Sequence, residues 1–309
     1  MKMMISIAMI TYNQCKYLEK ALESVVAQNT EYPFEIVIGD DFSTDGTKEI
    51  IKNFVSQHPN LIKPVYQIEN IGANANFVSV LNNCNGKYIA ILEGDDYWTD
   101  PNKLQKQVDY LEVNPDCVIC HHNVEVLDEE TNEKEKYNHF NKNYKYSINE
   151  LLRENTIATC SVVFRNGITS EFPKWYFDSP IGDYPLNVML AQNGNIGYLN
   201  DIMSVYRKHK AGIHSGDSRI QNYLIGIQSR LLLGENLNLL NHPSLRYSLS
   251  RLYRNLSSEY EKSGKNDKAK HYAWKRLFYS QSGQRKLSVK RLFYVYLRHY
   301  RKKLISLVN

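Results

Sequence analysis

Residues 88–98 read YIAILEGDDYW. An apolar, strand-forming run ends in Glu93, Asp95 and Asp96, interrupted only by Gly94, and then meets Tyr97 and Trp98. Like charges this close raise one another's pKa and cost stability unless something positive sits among them. A divalent cation is the simplest such partner, and oxygen donors are the ligands a hard cation takes. An acidic turn that follows a buried strand also lies where an open α/β sheet binds ligands, outside the carboxyl ends of its strands.

The flanking sequence supplies that sheet. Met4–Ile10 (MISIAMI) is a short apolar run of the buried-strand kind. Tyr17–Gln28 carries Leu18, Leu22, Val25 and Val26 on one helical face. Phe34–Gly39 (FEIVIG) reads as a second strand. A helix follows from Ser43 to Pro59, with Ile50, Ile51, Phe54 and Val55 at helical spacing. LIKPVYQI is a third strand, set at an edge by Pro64. Ala73–Cys84 is a third helix and Lys87–Leu92 a fourth strand. Strands alternating with helices imply parallel crossovers and a sheet covered on both faces. The expected class is α/β: a mainly parallel sheet flanked by helices, with a helical C-terminal extension.

Beyond Trp98 the pattern is mixed. A helix is expected near 102–114, strands near 117–127 and 158–164, a helix near 184–193, and short strands up to Tyr206. From Ser218 the chain reads as helix, broken near His242-Pro243, Ser263-Gly264 and Ser282-Gly283. The expected boundary separates residues 1–216 from a helical region 217–309.

Composition excludes several classes. With 309 residues and 42% hydrophobic content the chain can bury a substantial core. It lacks the roughly 18-residue apolar run of a membrane-spanning helix, and no small-residue cleavage site follows its N-terminal apolar stretch, so a cytoplasmic location is expected. Five irregularly spaced cysteines argue against a disulfide framework. Cys117 and Cys120 form a lone CxxC before His121 and His122; without a second ligand pair they read as small buried thiols of a strand rather than a zinc site. Net charge is +5, yet Lys268–Asn309 holds twelve Lys or Arg and no Asp or Glu. Within that tail, residues 286–304 place Val289, Leu292, Phe293, Tyr296, Tyr300 and Leu304 along one helical stripe between basic residues. Such a helix suits the surface of an anionic membrane, which would hold the protein peripherally on the inner face of the cell membrane; packing against preceding helices is the alternative. Nothing assigns it a nucleic-acid partner.

Three polar clusters fall after strands: Thr11–Gln14 (TYNQ), Asp40–Thr47 (DDFSTDGT) and Glu93–Asp96 (EGDD). Singly, each is what a helix cap also needs. Together they describe an acidic pocket beside helix N-termini, suited to a nucleotide whose phosphates are bridged by a metal. A dinucleotide-binding site would need GxGxxG after the first strand, where the sequence reads TYNQCKY, and no Walker A loop is present.

ISIAMITYNQCKYLEKALESVVAQ, EIVIGDDFSTDGT, ENIGANANF and GKYIAILEGDDYW, in that order, resemble the successive signatures of the family 2 glycosyltransferases of GT-A fold. A weaker likeness continues through Ile181–Ser215. The resemblance implies inverting transfer of a sugar from a nucleotide sugar, usually a UDP-sugar, to an acceptor hydroxyl with Mn²⁺ or Mg²⁺. It implies a saccharide or lipid-linked acceptor in surface polysaccharide or glycolipid synthesis. By the same resemblance Thr11 and Tyr12 line the base and ribose, and Asp41, with Asp40 beside it, contacts the base. Glu93-Gly94-Asp95 takes the place of Asp-X-Asp; Asp95 is the leading metal ligand, with Glu93 and Asp96 close by. Asp183 falls on the catalytic base and His209 near the pyrophosphate. Phe42 stands where the family usually has Gly or Asn, and Glu93 replaces the first Asp.

Two other readings remain open at this level. A sugar-nucleotide pyrophosphorylase would want a glycine-rich basic loop after the first strand. A catalytically inactive carbohydrate-binding or scaffold protein would have no use for a repelling acid cluster. Trp98 is a candidate for stacking on the acceptor sugar or for packing, His214 for a metal ligand or a solvated loop residue, and Asn74 and Asn76 for the turn that starts a helix.

Overall fold

The computed structural model describes residues 3–168, 171–210, 212, 218–280 and 295. His214 lies outside the described residues, as does the tail 286–304 apart from Val295, so neither expectation is addressed by it. The chain divides into two compact units: one of residues 1–148, 155–177 and 182–210, the other of residues 149–154, 178–181 and 211–309.

The first unit opens with β1 (Ile5–Thr11), α1 (Cys15–Val26), β2 (Phe34–Asp40), α2 (Thr47–Gln57), β3 (Ile62–Tyr66), α3 (Ala73–Leu81) and β4 (Tyr88–Glu93). β1 and β4 are apolar along nearly their whole length because each is covered on both faces. α1 buries Leu18, Ala21, Leu22 and Val25, the i, i+3, i+4, i+7 stripe of a helix that packs one face. Parallel pairing in the order β3-β2-β1-β4 puts Pro64 on the edge strand, where its missing N–H costs no ladder bond.

The unit continues through β5 (Tyr97–Trp98), α4 (Lys103–Val113), β6 (Cys117–Asp128), β7 (Lys134–Lys136), β8 (Tyr144–Tyr146), α5 (Ile148–Arg153), β9 (Val163–Arg165), α6 (Lys174–Phe177), α7 (Asp183–Ala191) and β10 (Asn195–Lys208); α5 passes into the second unit after Ile148. β9 is wedged antiparallel between β4 and β6, and β10 runs parallel to β6. The result is a mixed, mainly parallel sheet flanked by helices.

Two expectations are corrected here. The strand expected over 158–164 is a single 3₁₀ turn at Thr159–Ser161 followed by the three residues of β9. The short strands expected up to Tyr206 are one strand, β10, of 14 residues. Its pairing with β6 shifts between Asn195 and Ile196, Leu199 and Ile202, and Ile202 and Ser204. Each such irregularity breaks the alternation of inward and outward side chains that a sequence reading relies on.

The second unit is helical: α8 (Arg219–Asn236), α9 (Pro243–Lys262) and α10 (Asn266–Tyr279). Ser218 Oγ caps α8, Pro243 occupies the first turn of α9, and Gly264 takes φ +77° in the turn before α10. Tyr253, Tyr260, Tyr272 and Tyr279 stack between α9 and α10, with interplanar angles of 21°, 21° and 5° along the series. Among the described residues no helix is long and apolar enough to cross a membrane.

Candidate active site

Parallel pairing aligns Thr11 with Asp40 and Ile10 with Glu93, so the turns after β1, β2 and β4 share one sheet edge. The first two are knitted together. Asn13, at φ +51°, receives at Oδ1 the Thr44 N–H (2.8 Å), and its own N–H donates to Ser43 Oγ (2.9 Å). The Gln14 N–H donates to Thr47 Oγ1 and the Cys15 N–H to Asp45 Oδ2. Burial pushes the Asp45 carboxyl up, but the Thr47 hydroxyl and the N–H groups of Cys15 and Thr47, which donate to it, hold it down to about 2.

Asp40 and Asp41 are both buried. Asp41 accepts the backbone N–H groups of Ile71 (2.8 Å) and Gly72 (2.9 Å), pinning the turn before α3 to the end of β2. Asp40 Oδ1 accepts the Ser43 N–H at 3.3 Å. Phe42 adopts φ +66°, which explains why Gly or Asn suits this position: both tolerate the left-handed region better than a bulky side chain does.

After β4, Gly94 has a steric role. A Cβ there would lie 2.6 Å from Gln14 Oε1 and 2.9 Å from Thr11 Oγ1. Those two atoms and Asp96 Oδ2 are buried without a hydrogen-bond partner. Three unpaired polar atoms at one strand edge are costly in a finished core and ordinary in a site that a ligand completes.

The acids are held from β10. Asp96 Oδ1 accepts the Arg207 N–H (2.9 Å), and the Arg207 guanidinium donates to the Asp95 carbonyl (2.6 Å). Arg207 is itself placed over Tyr97 and Tyr17 and beside Glu129. His209 Nε2 faces Asp95 Oδ2 at 3.1 Å, its ring 4.6 Å from that of Tyr17. Burial, then the charges of Asp95, Asp96 and Asp183, push the Glu93 carboxyl well above its ordinary value. Burial and Asp95 do the same to Asp96 against the opposing pull of Arg207.

Asp183 opens α7 and accepts from Thr159 Oγ1 at 3.5 Å. Its approach is fixed from behind: Asn74 Nδ2 donates to the Tyr176 carbonyl, and a Cβ on Gly182 would meet Asn74 Oδ1 at 2.5 Å and Tyr176 Oη at 2.8 Å. The charge of Asp183 reaches Glu93, Tyr137 and Tyr176, and the charges of Asp96 and Glu93 reach Tyr206. The structure thus gathers Thr11, Asp40, Asp41, Glu93, Asp95, Asp96, Asp183 and His209 along one edge, with Tyr12 exposed at its rim. Arg207, Tyr137, Tyr176 and Tyr206 escaped sequence reasoning; only the SVYRKH run beside His209 hinted at the first.

Trp98 is buried, donating Nε1–H to the Cys160 carbonyl beneath Lys103, so it packs and does not face an acceptor. Asn76 is buried too, tying α3 to the Gly39 carbonyl. Cys117 and Cys120 are buried in β6, and burial holds His121 down to about 3.

The family model described as Glycosyl transferase family 2 matches residues 6–169. The chain belongs to glycosyltransferase family 2. It is 41% identical over 212 residues to an uncharacterized protein of Mycobacterium tuberculosis, covering 67% of this chain and 60% of that protein. The chain therefore spans less than two thirds of that relative. It is 30% identical over 162 residues to the putative teichuronic acid biosynthesis glycosyltransferase TuaG of Bacillus subtilis, covering 52% of this chain and 62% of TuaG. S. aureus TarS 1-349, solved in complex with UDP, superposes with a TM-score of 0.66 at 16% identity, covering 97% of this chain and 92% of that one. The mannosyltransferase PcManGT of Pyrobaculum calidifontis, solved with GDP-Man and Mn2+, gives 0.55 at 16%, covering 97% and 87%. These two likenesses show that the family 2 chain has the GT-A fold of its structural neighbours.

Among the described residues no three His, Cys, Asp or Glu side chains form a metal cage on their own. A cation that is bound partly by substrate phosphate needs fewer protein donors, typically one or two carboxylates. Asp95 with His209, and the unpartnered Asp96 Oδ2, fit that role for Mg²⁺ or Mn²⁺.

Proposed function

We propose that this family 2 glycosyltransferase moves a sugar, with inversion, from a UDP-sugar to an acceptor hydroxyl. The observation that carries the reading is the convergence of Glu93, Asp95, Asp96 and Asp183 at the carboxyl edge of the sheet, with unpaired polar atoms from Thr11, Gln14 and Asp96 among them. Thr11 and Tyr12 line the ribose and base, and Asp41, whose carboxylate already shapes the neighbouring turn, keeps lone pairs for the base edge. Asp40 supports that turn from beneath. Asp95, with His209 and with Glu93 or Asp96 behind it, holds the divalent cation. When bound, that ion stabilises the negative charge that grows on the departing nucleoside diphosphate. Arg207 keeps the Asp95-Asp96 turn in register.

Asp183 acts as the base. The attacking hydroxyl has a high pKa, and a positioned carboxylate takes its proton as the bond to the sugar forms. Attack from the face opposite the leaving group inverts the anomeric carbon in one displacement. Tyr137, Tyr176 and Tyr206 lie within reach of the same acids, and burial pushes each phenol up. The likeness to TuaG supports a surface polysaccharide or glycolipid as the product class.

The deciding experiment supplies purified protein and Mn²⁺ with a panel of UDP-, GDP- and TDP-sugars and measures nucleoside diphosphate release. Release from a UDP-sugar, accelerated by acceptor, is expected; release from no member of the panel would sink the proposal. The basic tail is proposed to bring this site to a lipid-linked acceptor at an anionic membrane. In liposome flotation the full chain is expected to bind in a salt-sensitive way and a chain ending at Gly283 to stay free; equal behaviour of the two would make the tail structural.

A further inference from the structure

At the rim of the site stands a side chain to which the proposed mechanism gives no task. Phe42 takes φ +66°, a region that bulky residues occupy only under constraint. Its ring is 50% exposed, so burial does not offset the strain. The constraint is built into both sides of the residue. Before it, the Asp41 N–H donates to the Thr11 carbonyl (3.0 Å) while the Asp41 carboxylate holds Ile71 and Gly72. After it, the Ser43 N–H donates to Asp40 Oδ1, and Ser43 Oγ and the Thr44 N–H engage Asn13.

The same bonds set what stands around Phe42. Tyr12 precedes Asn13 and is 48% exposed, and Ile71 is 38% exposed on the turn that Asp41 pins. The register of β1 with β2 sends Tyr12 and Phe42 out of adjacent strand ends. Exposed Tyr12, Phe42 and Ile71 thus sit on three loops that hydrogen bonds of Asp41 draw together beside buried Asp40 and Asp41. Apolar walls with a few hydrogen-bonding groups at the base are the lining that a flat, polar-edged ring requires.

We propose that Phe42 stacks on the nucleobase of the donor and helps to set which base is accepted. This deepens the reading of this edge as a nucleotide-sugar site and rests on it. Stacking uses the π-face that every base has, while the hydrogen-bonding edge of the base is met by Asp40 and Asp41. Held in a strained turn by its neighbours' hydrogen bonds, the ring is pre-organised, so little freedom is lost when the base arrives.

The test is calorimetry of the full chain with UDP, GDP, ADP and TDP in the presence of Mn²⁺, for wild type, Phe42→Gly and Phe42→Trp, with inorganic pyrophosphate as a ligand that has no base. Phe42→Gly relieves the backbone and is expected to melt at the same or a higher temperature. Its affinity for the preferred nucleoside diphosphate is expected to fall about tenfold or more, the range of one lost base stack, while pyrophosphate binds as before. Phe42→Trp is expected to keep or increase nucleotide affinity. Unchanged nucleotide affinity in Phe42→Gly overturns the inference, and so does an equal loss for nucleotide and pyrophosphate, which marks a distorted site. If wild type binds none of the four nucleotides, the nucleotide reading of the edge falls and this inference falls with it, a result distinct from the loss of Phe42 alone.

Discussion

The acids Glu93 and Asp96 on one side, and the buried amine of Lys103 on the other, are titratable groups that meet the same thiol. Cys160 feels Asp96 and Glu93 from the strand edge and Lys103 from the core. At the edge, polar atoms of Thr11, Gln14 and Asp96 are unpaired, several loops converge, and Arg207 fixes the acidic turn from β10. At Lys103 the amine is fully buried 4.0 Å over the Trp98 ring, no hydrogen-bond acceptor reaches it, and burial drives its pKa down to about 7. The acids have the surroundings of a site waiting for a ligand. The lysine has a ring and a hydrophobic wall, which is packing. An unpaired buried charge is thus a pointer to function only where other groups converge on the same space.

The sharpest way to break the contrast is through turnover. Asp183→Asn is expected to lower sugar transfer by roughly 10²–10⁴ while leaving UDP affinity unchanged, because general-base removal acts on the chemical step. Initial rates and calorimetry on one preparation decide it; near-wild-type transfer would move the base elsewhere, with Glu171 and Asp178 next to be tried. Lys103→Met, by contrast, is expected to leave the nucleotide response intact and to raise stability by about 1–4 kcal/mol at neutral pH, the scale for replacing a buried charge by an apolar chain. In wild type the lysine is protonated when unfolded up to its ordinary 10.5 but loses its proton near 7 when folded, so its burden on stability eases as pH rises from 7 towards 10.5. The gain from Lys103→Met should shrink over the same window; a gain that is constant with pH, or a loss of stability, would contradict this account.

The acids run the other way. Folded, Glu93 and Asp96 hold their protons well above their ordinary values of 4.5 and 3.8. Their contribution to stability is complete below those values and is lost as pH rises through the folded pKa. In the proposed mode of binding, Mn²⁺ competes with the same protons. Its stabilisation of the folded chain in thermal melts should therefore grow as pH rises above the acids' ordinary values and be accompanied by proton release. A metal response that does not change with pH would separate these acids from the cation.

The two halves of the first unit differ in how far the sequence revealed them. β1 to β4 are covered on both faces, so each is a continuous apolar run, and the helices between them carry one apolar stripe; boundaries shifted only by a residue or a few. β7 is KEK, wholly exposed, with nothing in its composition to mark a strand. β9 is three residues long, and β10 hides one strand behind three register shifts. Glu93, Asp95 and Asp96 were legible because charge at a strand end is conspicuous in one dimension, whereas Asp183, which opens α7, was read only through the family resemblance. Arg207 was not, because its task depends on the Asp95 carbonyl, 112 positions away in sequence. The three tyrosines were invisible among 23 for the same reason.

The acidic edge is proposed to bind a nucleoside diphosphate together with a divalent cation. Titration of UDP into wild type with Mn²⁺, wild type with EDTA, and Asp95→Asn with Mn²⁺ tests it most directly. Measurable affinity in the first and a large loss in the other two is the predicted result. Equal UDP affinity in all three would contradict it.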